Sequence, residues 1–181
     1  MIIGLTGPNA AGKGEVASYL VSRGFAYHSL SDVLREEMER RHLPSTRENL
    51  IALGNELRAS GGAGVLAEMV QKRLGSRDVV DSIRNPAEVE VLRRLAGFTL
   101  VGVDAPIEVR FFRAQKRARP GDGLTLEEFR EKEARENSPD RVRQQLAATF
   151  ALADHQMGNG GTIEQLSSSV DLLLSHLNPG P

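Results

Sequence analysis

Near its start the chain reads Gly7-Pro8-Asn9-Ala10-Ala11-Gly12-Lys13-Gly14: no bulky side chain and one lysine. Gly7 and Gly12 permit backbone angles that a Cβ would block, so successive N–H groups can point into one concavity. Such a nest suits an oxyanion, and Lys13 brings a flexible positive charge to it. The apolar run Ile2–Thr6 precedes the stretch and reads as a buried strand. Helical spacing follows, with Val16, Ala17, Leu20 and Val21 on one face. Strand, G-x-x-x-x-G-K, helix is the arrangement that cradles nucleotide phosphates, and the helix N-terminus adds its dipole. The usual serine or threonine after the lysine is here Gly14, so no hydroxyl is available there for Mg²⁺. Glu15 follows; beside phosphates it must either turn outward or help hold the metal, and the outward position is favoured.

Two further segments have side chains suited to the same chemistry. Asp78–Asp81 reads as a strand ending in a carboxylate, the Walker-B arrangement, and Arg84 stands three residues beyond Asp81. Asp32 and Arg35 lie early in a charged helical segment, Ser31–Arg41. An aspartate near a helix start is favoured electrostatically in any protein, so Asp32 gains meaning only from its company. Arg110, Arg113, Lys116, Arg117 and Arg119 crowd one helix end before a glycine-rich loop. A charge cluster of this kind is most often a solvated face, but here the whole chain carries a net charge of only −1.

Short apolar strands must deliver these groups. Phe25–His28, Asp78–Asp81 and Phe98–Val103 read as strands, and His155–Gly158 as a poor one. Helices are expected after Gly14, over Ser31–Arg41, from the capping box Ser45-Thr46-Arg47-Glu48 to about Ser60, then to Leu74. Further helices cover Pro86–Leu95 and Pro106–Ala118. Two more start at the capping boxes Thr125–Glu128 and Thr162–Gln165. Strands alternating with helices imply a parallel sheet covered on both faces. The expected fold is therefore a three-layer α/β P-loop domain of about five strands over residues 1–181. No cysteine is present, which excludes disulfides and cysteine-ligated metals. The near-neutral charge gives no sign of a nucleic-acid or membrane partner, no apolar stretch reaches membrane-span length, and no secretory leader or obligate protein partner is evident. A cytoplasmic protein is expected.

Several segments resemble nucleoside monophosphate kinases of the adenylate-kinase group. The GKG of the loop is similar to theirs, where Mg²⁺ is held largely by phosphates and by waters fixed by aspartates. Ser29–Arg35 is similar to their S-T-G-D-x-L-R segment; the resemblance implies that Arg35 binds the acceptor phosphate and that Asp32 orients a metal-bound water. It gives Asp81 a metal role, Arg84 a grip on the acceptor phosphate, and Arg113 and Arg117 contacts to ATP. Arg135 becomes a lid arginine, with Arg141 and Arg143 as substitutes, in a short lid at about 119–137. Ala153-Asp154 followed by Asn159-Gly160-Gly161 looks like the closing segment of dephospho-CoA kinases, which passes the adenine ring. Over nearly its whole length the chain also resembles a group of small P-loop kinases best known from archaea, also seen joined to deoxycytidylate deaminases. Its pattern is carried by Gly7–Glu15, Asp32–Glu37, Thr46–Leu50, Val79–Glu90 and Ala105–Arg113.

The acceptor follows from chemistry. A monophosphate is largely dianionic near neutral pH, since its second pKa is about 6, so its oxygen attacks without a general base. Arginines for two phosphate groups then suffice. The chain supplies many arginines, with Arg35 and Arg84 in acceptor-side places, and it has SLSDVLRE and VVDSIRNP where dephospho-CoA kinases typically carry D-A-D and P-L-L-F-E; this favours a nucleoside monophosphate over dephospho-CoA, whose hydroxyl profits from a base such as Asp32. Residues 31–75 are the expected acceptor lobe. Asn55 and Arg58 are candidates for base or phosphate contacts there, with exposed helix polars as the even alternative. The expected activity is transfer of the ATP γ-phosphoryl group, with Mg²⁺, to a (deoxy)nucleoside monophosphate. The alternatives are a dephospho-CoA kinase and a non-catalytic nucleotide-binding regulator.

Overall fold

The computed structural model describes residues 1–118, 125–137, 139–141 and 143–178. The expected loop from Arg119 to Gly123, where the lid would begin, lies outside the described residues. Five strands form one sheet in the order β2-β3-β1-β4-β5: β1 (Ile2–Thr6), β2 (Ala26–Ser29), β3 (Asp78–Asp81), β4 (Phe98–Asp104) and β5 (His155–Gly158). Every pairing is parallel. β1 runs between β3 and β4, which makes it inaccessible from both faces and both edges; all five of its residues are buried. An unbroken apolar run is the sequence such a strand requires.

The helices are α1 (Lys13–Ser22), α2 (Leu30–Arg40), α3 (Arg47–Gly61), α4 (Val65–Gln71), α5 (Pro86–Leu92), α6 (Ile107–Arg117), α7 (Leu126–Arg135), α8 (Leu146–Ala151) and α9 (Ile163–Leu177). They divide the core into two layers. One apolar cluster joins Val80 and Leu100 to Leu30, Val33 and Leu34 of α2, Leu53 of α3, Leu66 of α4 and Val89 of α5. The other joins Ile3, Leu5 and Val101 to Val16 and Leu20 of α1 and to Leu166, Val170 and Leu173 of α9. The three-layer arrangement expected from the alternation of elements is what forms.

Two local features depart from expectation. The cap of α3 is Thr46, whose side chain accepts from the Asn49 N–H at 3.2 Å, and not the Ser45–Glu48 box. The Thr46 N–H donates to Pro44 O at 2.9 Å, as does Asn49 Nδ2 at 2.9 Å, so the turn at Pro44 moves the cap one residue on. α8 has no counterpart in the sequence reading. The weak-looking strand β5 does form. As an edge strand it pairs with β4 alone, and only Met157 of its four residues is buried. The boxes at Thr125–Glu128 and Thr162–Gln165 both close as expected.

The cap assignment is testable by denaturant unfolding. Thr46→Ala is expected to lower stability by about 1 kcal/mol, whereas Ser45→Ala stays within about 0.5 kcal/mol.

Candidate active site

β1 ends at Thr6, whose hydroxyl donates to Ile83 O at 2.9 Å, tying the strand end to the segment after β3. The loop from Gly7 to Gly12 then turns into α1. Gly7 has φ 137° and Gly12 φ 99°. A Cβ on Gly7 would stand 2.0 Å from Val103 O, and one on Gly12 would stand 2.0 Å from Asn159 Nδ2. Both glycines are therefore needed for conformation and for space. Asn159, just past β5, is buried and donates from Nδ2 to Ala11 O at 2.8 Å. Its side chain thus holds the loop itself.

Lys13 Nζ donates to the carbonyls of Gly7 (2.7 Å) and Pro8 (2.9 Å). Desolvation lowers its pKa from 10.5 to about 8; Asp81 opposes the shift, Arg84 and Arg117 add to it, and Glu136 also opposes it. These side chains act on Lys13 because the fold brings them to one place. Glu15 is exposed, in the outward position.

Asp81 ends β3, beside β1. Its Oδ1 accepts from the Ser82 N–H at 2.5 Å and its Oδ2 lies 3.5 Å from the Tyr27 hydroxyl. Ser82 has φ 67°, a left-handed conformation unfavourable for a residue with a Cβ. Asp32 and Arg35, one turn apart on α2, pair with each other at a half-exposed position. Arg84 Nη1 donates to Glu136 Oε2 at 3.1 Å and to Gln144 Oε1 at 3.4 Å.

On α6, Arg117 Nη2 donates to Asn9 Oδ1 at 3.1 Å. Arg113 Nη1 is buried without a hydrogen-bond partner and lies 3.8 Å from where a Gly12 Cβ would stand. Both expected ATP-side arginines therefore reach the phosphate loop. Arg110, one turn earlier, is buried and pairs with Glu133 of α7; its Nη1 also donates to Asn9 O at 3.4 Å. It fixes α6, α7 and the loop together.

A cavity of about 470 Å³ opens beside the loop. Asn9, Arg35, Arg58, Ser82, Arg84 and Arg117 all contribute to its wall. A second cavity, about 440 Å³, holds Asn55, Arg135 and Arg143, with Glu48, Ile51, Glu136 and Gln144 shared between the two. Arg135 and Asn55 are thus set apart from the phosphate loop, none of whose residues lines that second cavity. Arg58 is not an exposed helix polar: it is 2% exposed and paired with Glu88, which is 0% exposed.

Sequence reasoning passed over four residues. Glu88 accepts from Arg58 Nε and Nη2 (3.0 and 2.8 Å) and from the Arg84 and Asn85 N–H groups (2.8 and 3.1 Å). Asn85 caps α5 and donates from Nδ2 to Arg141 O and Arg143 O, each at 2.7 Å. Glu136, 4% exposed, holds Arg84. Arg110 stands in the sequence as one charge of a cluster. The Asn85-Pro86-x-Glu88 pattern is itself a cap signature, and could have exposed the first two. Among the described residues no group of three or more His, Asp or Glu side chains could hold a metal ion, and no helix is long and apolar enough to cross a membrane.

A family model described as an AAA domain matches residues 3–145. A UPF0200 protein of Hyperthermus butylicus is 34% identical over 181 residues, covering 98% of this chain and 95% of the relative. The chain belongs to the UPF0200 family. It is equally a member of the AAA-domain family. The UPF0200 chain is also similar to solved structures. TT1252 from Thermus thermophilus matches with a TM-score of 0.63 at 24% identity, covering 98% of this chain and 97% of that one. A shikimate kinase from Bacteroides thetaiotaomicron matches with a TM-score of 0.62 at 19% identity, covering 97% and 98%. These likenesses establish a P-loop kinase-like fold for the UPF0200 chain.

Two outcomes follow from the geometry. With its pKa near 8 in the free protein, Lys13 loses its proton above that pH, while bound phosphates restore it. Nucleotide affinity is therefore expected to fall as pH rises through about 8, with proton uptake on binding above that point; calorimetry with a nucleoside triphosphate in buffers of different ionisation heat reads both. Glu88→Ala leaves the Arg58 guanidinium buried without its partner, and is expected to cost about 3–5 kcal/mol in denaturant unfolding.

Proposed function

We propose that this protein transfers the γ-phosphoryl group of ATP to a (deoxy)nucleoside monophosphate. The observation that carries the reading is the cavity beside the phosphate loop, where Arg35, Arg84 and Arg117 line one wall system with Asn9 of the loop. Two phosphate groups must be brought together against their own repulsion, and a cavity lined by cations next to an anion-binding loop does that.

The loop N–H groups and Lys13 hold the donor phosphates. The unpartnered Arg113 Nη1 and the Arg117 fork close on the same phosphates from α6, where planar donors engage oxygens in pairs. The residues fit Mg²⁺ in one way: with Gly14 lacking a hydroxyl and no cluster of carboxylates among the described residues, Asp81, aided by Asp32, would hold it through its waters. When bound, the metal supplies neutralisation of charge on the phosphate oxygens. Arg35 and Arg84 exchange Asp32 and Glu136 for the acceptor phosphate. An oxygen of that dianion attacks the γ-phosphorus in line, the bond to the bridging oxygen breaks, and ADP leaves with the electron pair. No proton has to move, so no general base is required. Arg135, which lines the second cavity, is assigned as a lid residue, and Asn159 keeps the loop in shape under the adenine. The acceptor lobe spans about 31–75 and the lid about 119–137, within one domain working in the cytoplasm on small molecules.

An ADP-release assay with ATP and Mg²⁺, run against ribo- and deoxynucleoside monophosphates and dephospho-CoA, tests the proposal. Turnover of at least one monophosphate is expected, lost by a factor of about 100 or more in Lys13→Ala while the variant stays folded. Dephospho-CoA as the one working acceptor would make Asp32 a base and overturn the assignment. ATP binding with silence across the panel would favour a nucleotide-binding regulator.

A further inference from the structure

Glu48, Ile51, Ala52 and Asn55 of α3 all line the second cavity. They stand at positions i, i+3, i+4 and i+7, so a single face of one helix forms that wall. The middle of the face is apolar, and a carboxylate stands at one end. Asn55 closes the other end; its Oδ1 is sealed from solvent, so that oxygen bounds the face without meeting a ligand. Glu48 and Ile51 also line the cavity beside the phosphate loop. Glu48 is exposed, and among the described residues its carboxylate has no hydrogen-bond or ion-pair partner. The helix dipole alone favours an acidic residue in a first turn. That accounts for a carboxylate near the start of α3, but not for an apolar platform one turn further along the same face.

The two cavities meet where the acceptor phosphate would be held. Arg84 donates to Glu136 and Gln144, and both of these residues line both cavities. A phosphate that replaces them on Arg84 stands at the junction, across from the α3 face. The arginines of the first cavity suit phosphates. The remainder of a nucleotide acceptor includes a flat ring, and Ile51 and Ala52 offer it a surface that asks for no hydrogen bond. A ribose is a poorer occupant of that surface, because its hydroxyls would lie on apolar side chains without partners. A ring resting there turns an edge toward Glu48. An ionised carboxylate can only accept. It pairs with an exocyclic amino group, whereas an oxo group in the same place opposes it lone pair to lone pair.

We infer that Glu48 selects the acceptor by its base: the ring rests on Ile51 and Ala52, and an exocyclic amino group donates to the Glu48 carboxylate. The inference rests on the kinase reading above and deepens it, narrowing the acceptor to monophosphates of amino-bearing bases. Glu48 is then a specificity-determining residue and takes no part in the transfer itself.

The experiment compares monophosphates that differ at one amino group, using the full chain with ATP and Mg²⁺. Cytidine is set against uridine, adenosine against inosine and guanosine against inosine, each in ribo and deoxy form. In at least one pair the amino-bearing acceptor is expected to be favoured about 10–100-fold in kcat/KM, mainly through KM. Glu48→Gln keeps the shape but can donate as well as accept, and is expected to bring that pair within about threefold. Glu48→Ala, which removes the acceptor altogether, is expected to do the same. Glu48 is exposed, so both variants are expected to stay folded, which thermal melting checks. If neither folds, the wild-type pairs decide alone. No preference within any pair, a preference for the oxo member, or a preference that survives in both variants overturns the inference and leaves the kinase reading standing. So does a change in the ribo-to-deoxy ratio with the base preference intact, which would put the carboxylate on the sugar. Silence of every monophosphate overturns both.

Discussion

The carboxylate of Glu88 is removed from water, and a buried charge is tolerated only when its hydrogen bonds are satisfied. Its four donors come from Arg58 of α3 and from the backbone of Arg84 and Asn85. Satisfying one side chain therefore sets the distance between α3 and α5 and the path of the chain after β3. That path carries Arg84 into the cavity. Asn85, the next residue, reaches two carbonyls of the segment returning from α7, and Gln145 N–H donates to Arg84 O at 2.9 Å. The whole of this cavity wall is thus referenced to one anion that is sealed from water.

The phosphate loop is organised differently, by backbone and by fit. β1 lies between β3 and β4, so the loop that follows it emerges beside the carboxylate that ends β3. The loop is then held from both flanks, by Asn159 Nδ2 on Ala11 O and by Arg110 and Arg117 on Asn9. Lys13, resting on two carbonyls of its own loop, is partly desolvated and so carries its charge less firmly than a surface lysine. Phosphate oxygens would restore what burial removes. The two sides meet where Glu136 holds Arg84, between the cavities.

What could be read in the sequence was what local chemistry dictates. The loop, the buried central strand, the strand ending in Asp81 and two of the three capping boxes depend on neighbours within a few residues, and they form as expected. The third box slipped by one residue because the turn at Pro44 supplies an acceptor to Thr46 and Asn49. β5 looked unfit because an edge strand has to bury only one of its side chains. Arg58 and Glu88 could not be matched in advance, since 30 residues separate them and nothing in either position announces a partner. Glu136 and Arg110 were hidden in charged stretches that resemble solvated faces. Arg135 and Asn55, brought forward by resemblance and by helix position, lie in the second cavity and not beside the loop.

The pairing of Arg58 with Glu88 also bears on how such a protein can change over generations. A lone buried charge is worse than either the complete pair or a pair of apolar residues in its place. A single substitution at either position therefore passes through a valley of lost stability, while a joint replacement crosses it. Two codons far apart in the gene behave as one heritable unit. Lineages that keep both residues keep the same cavity wall, and a lineage that exchanges both has rebuilt the wall in one step and with it the molecules that the wall accepts.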